Sequence, residues 1–302
     1  MTGAGAAGAG RSGFLRGAFW AVMTALSFAV MMTTVHYIGG RFDAFELVFV
    51  RAVVGLLLVM PLVGRSGLGA LKTQQMPMHV LRTLFALGAM VTLYYALAEL
   101  QIASATVLTF LIPLFTTIAA GTVLREKVGI HRWSATLVGF CGALVIIRPG
   151  LVEVSLPVML AVLSSLLYAG AWSSVKILTR KDSPAVTVFW MNVLMVPLTA
   201  VPLFFVWVTP RWEDLPPLLI MALAGWSAHF CQARTFQNAD ASAVMPFDFL
   251  RLPLAALFGY VLFRETVDVW TWAGGAIIFL AGYYITLRET RHARESRAAA
   301  KG

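Results

Sequence analysis

The chain has 302 residues, of which 59% are apolar and only 12% are charged, with a net charge of +9. A soluble domain normally has about twice that charged fraction, and the apolar residues here fall in runs of about 20, the length of a helix that crosses a bilayer. The composition excludes a soluble globular domain, and the basic residues, placed between apolar runs and in the tail, indicate lipid headgroups rather than nucleic acid.

Ten apolar spans are predicted, which gives an all-α membrane protein. A Gly/Ala-rich leader, 1–13, is predicted to be a disordered cytoplasmic segment. The first span is too long for the core of a signal peptide and is interpreted as a retained helix. A basic cytoplasmic tail, 289–302, ends the chain. The predicted spans are 14–37, 44–63, 79–98, 102–124, 132–148, 155–177, 184–208, 215–236, 241–263 and 267–287.

The positions of the basic residues predict the orientation of the spans. With the N-terminus in the cytoplasm, 17 of the 23 Lys and Arg residues lie on the cytoplasmic side. Four lie outside, namely Arg41, Arg148, Arg211 and Arg264. Because short cytoplasmic loops are enriched in Lys and Arg, both termini are predicted to be cytoplasmic. The predicted location is the bacterial inner (plasma) membrane, as a multi-pass protein.

The two halves of the chain repeat one pattern at an offset of 138 to 140 residues. Each half has a span that begins with Ala-Ser-Ala, contains a proline and ends with Arg-Glu. These residues are Ala103-Ser104-Ala105, Pro113 and Arg125-Glu126 in the first half, and Ala241-Ser242-Ala243, Pro253 and Arg264-Glu265 in the second. Five spans per copy is an odd number, so the second copy is predicted to be inverted, as in many secondary transporters.

These features resemble the drug/metabolite transporter superfamily, in particular its EamA-type members with two five-helix repeats. The resemblance covers about residues 14 to 289. Its other matching residues are Phe49-Val50-Arg51, Ala239-Asp240, Pro246 and the stretch from Gly274-Gly275-Ala276 to Gly282. It implies repeats at 14–148 and 149–288 and a secondary transporter that works by alternating access without ATP. It also implies a solute site among spans 1, 3, 4, 6, 8 and 9, but it does not identify the solute, which is expected to be amino-acid-like, an amine, or nucleoside- or vitamin-like.

Ionisable residues inside the spans are the first candidates for solute contact, because an unpaired charge in hydrocarbon is costly. Asp248 and Arg251 are three residues apart on one predicted helical face, where they form either a solute or proton site or a structural ion pair. Arg51 is a further candidate, although snorkelling or a structural salt bridge is the favoured alternative. His229 is expected to contact a solute or a proton, or to be hydrogen-bonded in the packing.

Aromatic residues inside the spans supply the other half of the predicted site. Trp172 is one helical turn beyond Tyr168, so the two are predicted to share a face. Together with Tyr94 and Trp190 they could form a cage for a planar or cationic solute. The alternative for most of them is ordinary packing or an interfacial belt. By contrast, the Gly-rich fifth and tenth spans are interpreted as scaffold helices that pack together.

The residues give little support to other classes of protein. Ser227 and His229 lie two positions apart on one helix and point in different directions, so they cannot pair in an intramembrane hydrolase. Cys141 and Cys231 lack metal-like spacing and are predicted to be free thiols. A channel or a structural membrane protein remains the main alternative, but a selective pore would be expected to show a filter or a charged ring.

The transporter is therefore favoured, and it is not expected to be an enzyme or to need a cofactor or metal. Its expected partners are a small-molecule solute and the lipid bilayer. Protons are one candidate coupling ion, and a homodimer is one candidate assembly.

Overall fold

The computed structural model of the chain describes residues 3–66, 71–122, 129–148, 155–178, 181–182, 184–238 and 247–299. These residues form helices and turns with no strand among them, which agrees with the all-α prediction. The α-helices are α1 (Gly3–Ile38), α2 (Ala44–Ser66), α3 (Met76–Glu99), α4 (Ile102–Thr109), α5 (Ile112–Thr122), α6 (Ile130–Ile147), α7 (Leu156–Leu178), α8 (Pro184–Val206), α9 (Leu215–Asn238), α10 (Arg251–Phe263) and α11 (Val269–Ala299).

Several of these helices are long and apolar enough to cross a membrane. Within the described part of the chain there are five such stretches, namely Leu15–Ile38, Met76–Glu99, Ile102–Thr122, Leu156–Val175 and Val186–Val206. Three shorter apolar helices are Trp133–Ile147, Arg251–Phe263 and Val269–Ile285. The chain is thus a multi-pass membrane protein.

The first helix is longer than its predicted span. It begins at Gly3 and so includes most of the leader 1–13, which the sequence predicted to be disordered. Extending an existing helix requires no new nucleation step, and alanine is the best helix former. At the other end of the chain, α11 continues to Ala299, well into the predicted tail.

Two predicted spans are each interrupted at the same place in the repeat. The span 102–124 is divided into α4 and α5 by a turn at Phe110–Leu111, and the chain turns again at Phe249–Leu250, just before α10. Pro113 and Pro253 follow these turns. A proline has no N–H to give to the carbonyl four residues earlier, and its ring collides with that carbonyl. Each of these helices is therefore broken at the turn, and the prolines cause the breaks.

The four most extensive helix contacts map onto one another when the two halves of the chain are exchanged. The pairs α1 with α9 and α3 with α7 correspond to one another, while α2 with α8 and α6 with α11 each join equivalent helices. Every one of these pairs combines one helix of each half, so the core lies between the halves. Two parts of the predicted repeat, Arg125-Glu126 and Ala239 to Pro246, lie outside the described residues.

The glycine-rich helices α6 and α11 pack as the sequence predicted. A Cβ atom added to Gly142 would lie 2.9 Å from the carbonyl oxygen of Gly274, and one added to Gly274 would lie 2.5 Å from that of Gly142. Two backbones can approach so closely only where side chains are absent.

The bundle has two ends, which we call the near end, where α1 begins, and the far end, where α1 stops. At the far end Arg41 pairs with Asp214 at 2.7 Å, and Arg148 pairs with Asp268 at 2.8 Å. At the near end Asp182 accepts hydrogen bonds from Thr73 (2.6 Å) and His79 (2.8 Å).

Candidate functional site

A cavity of about 290 Å³ lies between the two halves, mostly in the near-end half of the bundle. It is bordered by α1, α4, α5, α7, α9 and α11, and by the residues around the turn at Phe249–Leu250. The resemblance had implied spans 1, 3, 4, 6, 8 and 9. The cavity is lined by the first, fourth, sixth, eighth and ninth spans and also by the tenth, whereas α3 packs against α7.

The charged part of the cavity is the pair Asp248 and Arg251. The guanidinium of Arg251 donates to Oδ2 of Asp248, as the sequence predicted. The two residues are not on one continuous helical face, since they lie on either side of the turn that precedes Pro253. The carbon Cζ of Arg251 also lies 4.9 Å from the ring centroid of Phe28 and 5.7 Å from that of Phe110. Such positions give a cation–π attraction that helps to hold the guanidinium in place.

One wall of the cavity is a series of aromatic rings. The centroids of Phe110 and Phe249 are 6.0 Å apart, and those of Phe249 and Phe279 are 4.4 Å apart. Tyr283 is stacked on Phe279 with an interplanar angle of 10°. Offset and tilted rings at these distances are attractive and also offer flat faces to a planar ligand. Threonines and a glutamine face the same space, namely Thr24, Thr109, Thr116, Thr117, Gln232 and Thr235.

A second polar cluster is buried deeper in the bundle, around Arg51. This residue is only 9% exposed, and its guanidinium donates to Sδ of Met90 at 2.7 Å and to Nε2 of His229 at 2.8 Å. Its Nε has no hydrogen-bond partner. Tyr94 and Tyr168 are close enough to Arg51 to interact with it electrostatically. Among the described residues, no carboxylate pairs with Arg51.

The contact with Arg51 fixes the protonation of His229. A guanidinium can only donate, so Nε2 of His229 must be the acceptor. The imidazole is therefore neutral while this hydrogen bond exists, with its proton on Nδ1.

Phe28 separates the open cavity from the cluster around Arg51. Its ring meets the imidazole of His229 edge to face, with centroids 5.7 Å apart, and lies beneath Arg251 on its other side. The residues predicted to form one site are thus divided by a single aromatic side chain.

The structure brings only three of the predicted residues to the cavity itself, namely Asp248, Arg251 and Trp172. Arg51, His229, Tyr94 and Tyr168 lie beyond Phe28, and Trp190 donates to the carbonyl of Leu71 near the loop after α2. The predicted cage is therefore not formed. Although Tyr168 and Trp172 are one turn apart, Tyr168 packs into the buried core and Trp172 is 45% exposed.

The sequence interpretation missed the phenylalanines of the cavity wall. Phe110 and Phe249 occupy equivalent places in the two repeats, three and four residues before the prolines that break the helices. A comparison of the two copies, residue by residue, could have identified this pair. Nothing in the sequence separates Phe28 or Phe279 from ordinary packing residues.

The geometry gives no support to catalytic or metal chemistry in the described part of the chain. Ser227 donates to Ser27 at 2.9 Å, while His229 bonds to Arg51, so these two residues do not pair. No group of three His, Cys, Asp or Glu side chains there could hold a metal ion. Cys141 and Cys231 are both free, as predicted.

Comparison with known proteins matches the EamA-like transporter family twice, at residues 15–148 and 155–287. The riboflavin transporter of Vibrio cholerae is 33% identical over 292 residues, which cover 94% of this chain and 97% of that protein. The S-adenosylmethionine uptake transporter of Rickettsia prowazekii is 28% identical over 278 residues, or 92% of this chain and 95% of that protein. A crystal structure with 16% identity and a TM-score of 0.61, covering 93% of this chain and 98% of the other, has the same fold.

Proposed function

This chain belongs to the EamA-like transporter family, and on that basis we propose that it carries a neutral, flavin-like vitamin across the bacterial inner membrane. A small-metabolite transporter is the function that its relatives share, since those compared above are named as carriers of riboflavin and of S-adenosylmethionine. The solute moves by alternating access between the two halves, without ATP and without a bound cofactor.

One observation carries the choice of solute, namely a wall of aromatic rings that ends at a charge-neutral ion pair. A flavin combines a planar ring system with a chain of hydroxyl groups. Its ring fits against the faces of Phe249 and Phe279, and its imide edge both donates and accepts, which complements Asp248 and Arg251. The threonine hydroxyls of the cavity suit a polyol chain.

The distribution of charge favours a neutral solute over a cation. S-adenosylmethionine carries a positively charged sulfonium, which needs a free carboxylate nearby. Of the described residues that line the cavity, Asp248 alone has a carboxylate, and Arg251 already neutralises it. The neighbouring Arg51 adds a further positive charge behind Phe28. Like charges in a region of low dielectric repel strongly, so the transport path disfavours a cation.

The proposed architecture has ten spans in two inverted repeats, with both termini in the cytoplasm. The exchange-symmetric packing of the helices supports the inverted repeat. The four basic residues predicted to lie outside occur in segments that meet at the far end. The near end is accordingly the cytoplasmic side, and the conformation described here has its cavity toward that side.

Uptake of radiolabelled riboflavin tests this proposal. The chain is expressed in a bacterial strain that cannot make or import riboflavin, and the purified protein is reconstituted in proteoliposomes. We expect growth at low external riboflavin and saturable riboflavin flux that excess unlabelled S-adenosylmethionine does not inhibit. Flux of S-adenosylmethionine without flux of riboflavin would assign the cationic solute instead, and the argument from charge would then be wrong.

A further inference from the structure

The far end of the bundle is closed by a half-buried contact between His36 and Glu265. The Nε2 atom of His36 lies 3.2 Å from Oε1 of Glu265, and both side chains are 15% exposed. His36 is in the last turn of α1, and Glu265 follows α10, so the contact joins the two halves of the chain. It lies at the opposite end from the cavity opening.

Both residues are held in place by further hydrogen bonds. The Nδ1 atom of His36 donates to the carbonyl of Leu97 at 2.5 Å. The Oε2 atom of Glu265 accepts from the backbone N–H of Ile102 at 3.0 Å, which places a carboxylate on the first turn of α4. Arg264 adopts a left-handed conformation with φ of 61°, and this turn directs Glu265 back toward the bundle. The contact therefore ties α1, α3, α4 and the end of α10 together.

These bonds show that the closed contact contains one exchangeable proton. The carbonyl of Leu97 can only accept, so the proton of a neutral imidazole is already on Nδ1. Nε2 then has only a lone pair, and it faces a carboxylate oxygen that also accepts. Two acceptors 3.2 Å apart attract each other only if a proton lies on one of them. Whether Nε2 or Oε1 carries it, the attractive form of this contact contains one proton.

We propose that the His36–Glu265 pair is the proton-binding site that couples proton movement to opening of the far end. Asp248 and His229 were the sequence candidates for this role, but each already contacts a guanidinium. A proton added to His229 would place two cations in contact, and a proton added to Asp248 would remove the charge that pairs with Arg251. The pair at the far end has no guanidinium partner among the described residues, and separating it is a necessary step in opening that end.

The other charged groups at the far end make separate contacts or are exposed. Arg41 pairs with Asp214, Arg148 pairs with Asp268, and Asp43 accepts from Tyr95. Glu46 accepts from the backbone N–H of Val208 at 3.1 Å. Arg264 and Glu99 are exposed, and Phe263 covers the imidazole of His36 edge to face at 4.6 Å. The pH dependence of closure is thus assigned to His36 and Glu265. This inference rests on alternating access as proposed above, but not on the identity of the solute.

Labelling of a cysteine placed beneath the pair tests the inference without any solute. Thr106 lies on α4 and is 1% exposed. It stands between Ile102, which contacts Glu265, and Thr109, which lines the cavity. Thr106→Cys is introduced with Cys141→Ala and Cys231→Ala and labelled with a membrane-impermeant maleimide. Thr209→Cys, at an exposed position of the far end, is the matched control. It corrects for the reactivity of the thiol at each pH and shows whether intact cells or inside-out vesicles present the far end to the reagent.

The ratio of labelling at 106 to labelling at 209 should rise with pH, because loss of the shared proton leaves two acceptors facing each other. One proton per closure sets a slope of up to about tenfold per pH unit. Glu265→Gln supplies a permanent donor to Nε2, so the far end should stay closed and the labelling ratio should be low at every pH. His36→Phe removes the contact, so the ratio should be high at every pH. A flat ratio in the otherwise native chain, or an undiminished slope in Glu265→Gln, would overturn the inference whatever solute is transported.

Discussion

Phe110 and Phe249, which occupy equivalent places in the two repeats, lie with their ring centroids 6.0 Å apart in the wall of the cavity. Each belongs to the turn that interrupts the fourth span of its repeat. The two backbone breaks therefore meet face to face, and broken helices that line a cavity are a common feature of solute sites in transporters. The proposed solute site therefore lies at the contact between the repeats, where a movement of one half against the other would change its surroundings.

Replacement of either ring by leucine should weaken solute binding to a similar extent. Phe110→Leu and Phe249→Leu keep an apolar side chain but remove the aromatic face, and aromatic pairs contribute about 0.5–1.5 kcal/mol beyond their buried area. We expect an increase in KM for riboflavin of up to about tenfold. Phe115→Leu is the matched control, because Phe115 packs against Phe140 away from the cavity. If only one of the two cavity variants affected KM, the equivalent roles of the repeats would be refuted.

The ion pair in the cavity should be required for binding of the solute more than for folding. Asp248→Asn and Arg251→Gln each remove a charge whose partner is partly buried, and loss of one polar partner in a binding site typically costs about 1–3 kcal/mol. We therefore expect riboflavin to raise the melting temperature of the wild type and to have little effect on either variant. Glu213→Gln and Arg211→Gln, at exposed positions of the far end, are the charge-matched controls. Variants that still respond to riboflavin would identify the pair as a structural ion pair.

Much of the fold follows directly from the sequence, because hydrocarbon imposes a simple rule on chain composition. The apolar runs predict helices because a backbone in lipid must satisfy its own hydrogen bonds. The glycines of α6 and α11 predict close helix packing, and the constant offset between the halves predicts the repeat. The breaks at Phe110 and Phe249 were signalled by Pro113 and Pro253, which the sequence analysis used only as markers of the repeat. A proline in a membrane helix can bend it or interrupt it, and the neighbouring helices decide which.

The site was predicted less well than the fold, because the direction of a side chain depends on rotation of its helix. Asp248 and Arg251 were found because a charge in hydrocarbon needs a partner. Tyr168 and Trp172 share a face by spacing alone, yet one turn of helix is enough to put them on opposite sides of Phe28. Aromatic residues are common in membrane cores, so their presence in a sequence does not distinguish a ligand wall from packing.

The contact between α6 and α11 predicts a strong effect of one methyl group. Gly274→Ala places Cβ 2.5 Å from the carbonyl oxygen of Gly142, so the two helices must move apart. Overpacking of this kind costs about 1–3 kcal/mol, which should appear as a lower melting temperature. Gly282→Ala on the same helix is the control, since its Cβ meets no atom within 4 Å and alanine favours helix by about 1 kcal/mol. Equal melting temperatures for the two variants would contradict the close packing.

The near end should lose stability in acid through Asp182. Burial alone would raise the pKa of Asp182, but the hydrogen bonds from Thr73 and His79 outweigh it and hold the pKa below its usual value. A group with a lowered pKa stabilises the fold above its unfolded pKa of about 3.9 and loses that effect as the pH falls through the folded value.

Asp182→Asn should therefore be less stable by about 1–3 kcal/mol at neutral pH. Its difference in melting temperature from the wild type should shrink as the pH falls below about 4. Asp268→Asn is the control, because its partner Arg148 and Asp268 itself are 33% and 43% exposed. An exposed pair of this kind contributes about 0–1 kcal/mol. A pH-independent difference for Asp182→Asn would show that its carboxylate charge is not what stabilises this end.

Arg51 offers a test that separates function from stability. Its guanidinium is buried and has a sulfur and an imidazole nitrogen as its hydrogen-bond partners, while Nε has none. A buried charge without an opposite charge destabilises a fold, and its replacement by an apolar residue of similar volume is often neutral or stabilising. The double variant Arg51→Met with His229→Phe removes the charge and the acceptor together, so it leaves no polar group of this pair unpaired. We expect a melting temperature at least equal to that of the wild type, together with a loss of transport of tenfold or more, since about 1.4 kcal/mol of lost solute interaction suffices for that.

His229→Phe alone is the control, because it leaves the guanidinium without its acceptor and should lower stability by about 1–3 kcal/mol. A double variant that loses stability and transport in proportion would mean that Arg51 serves the packing of α2 against α9. A stable double variant without transport would mean that this buried positive charge is retained for the solute path.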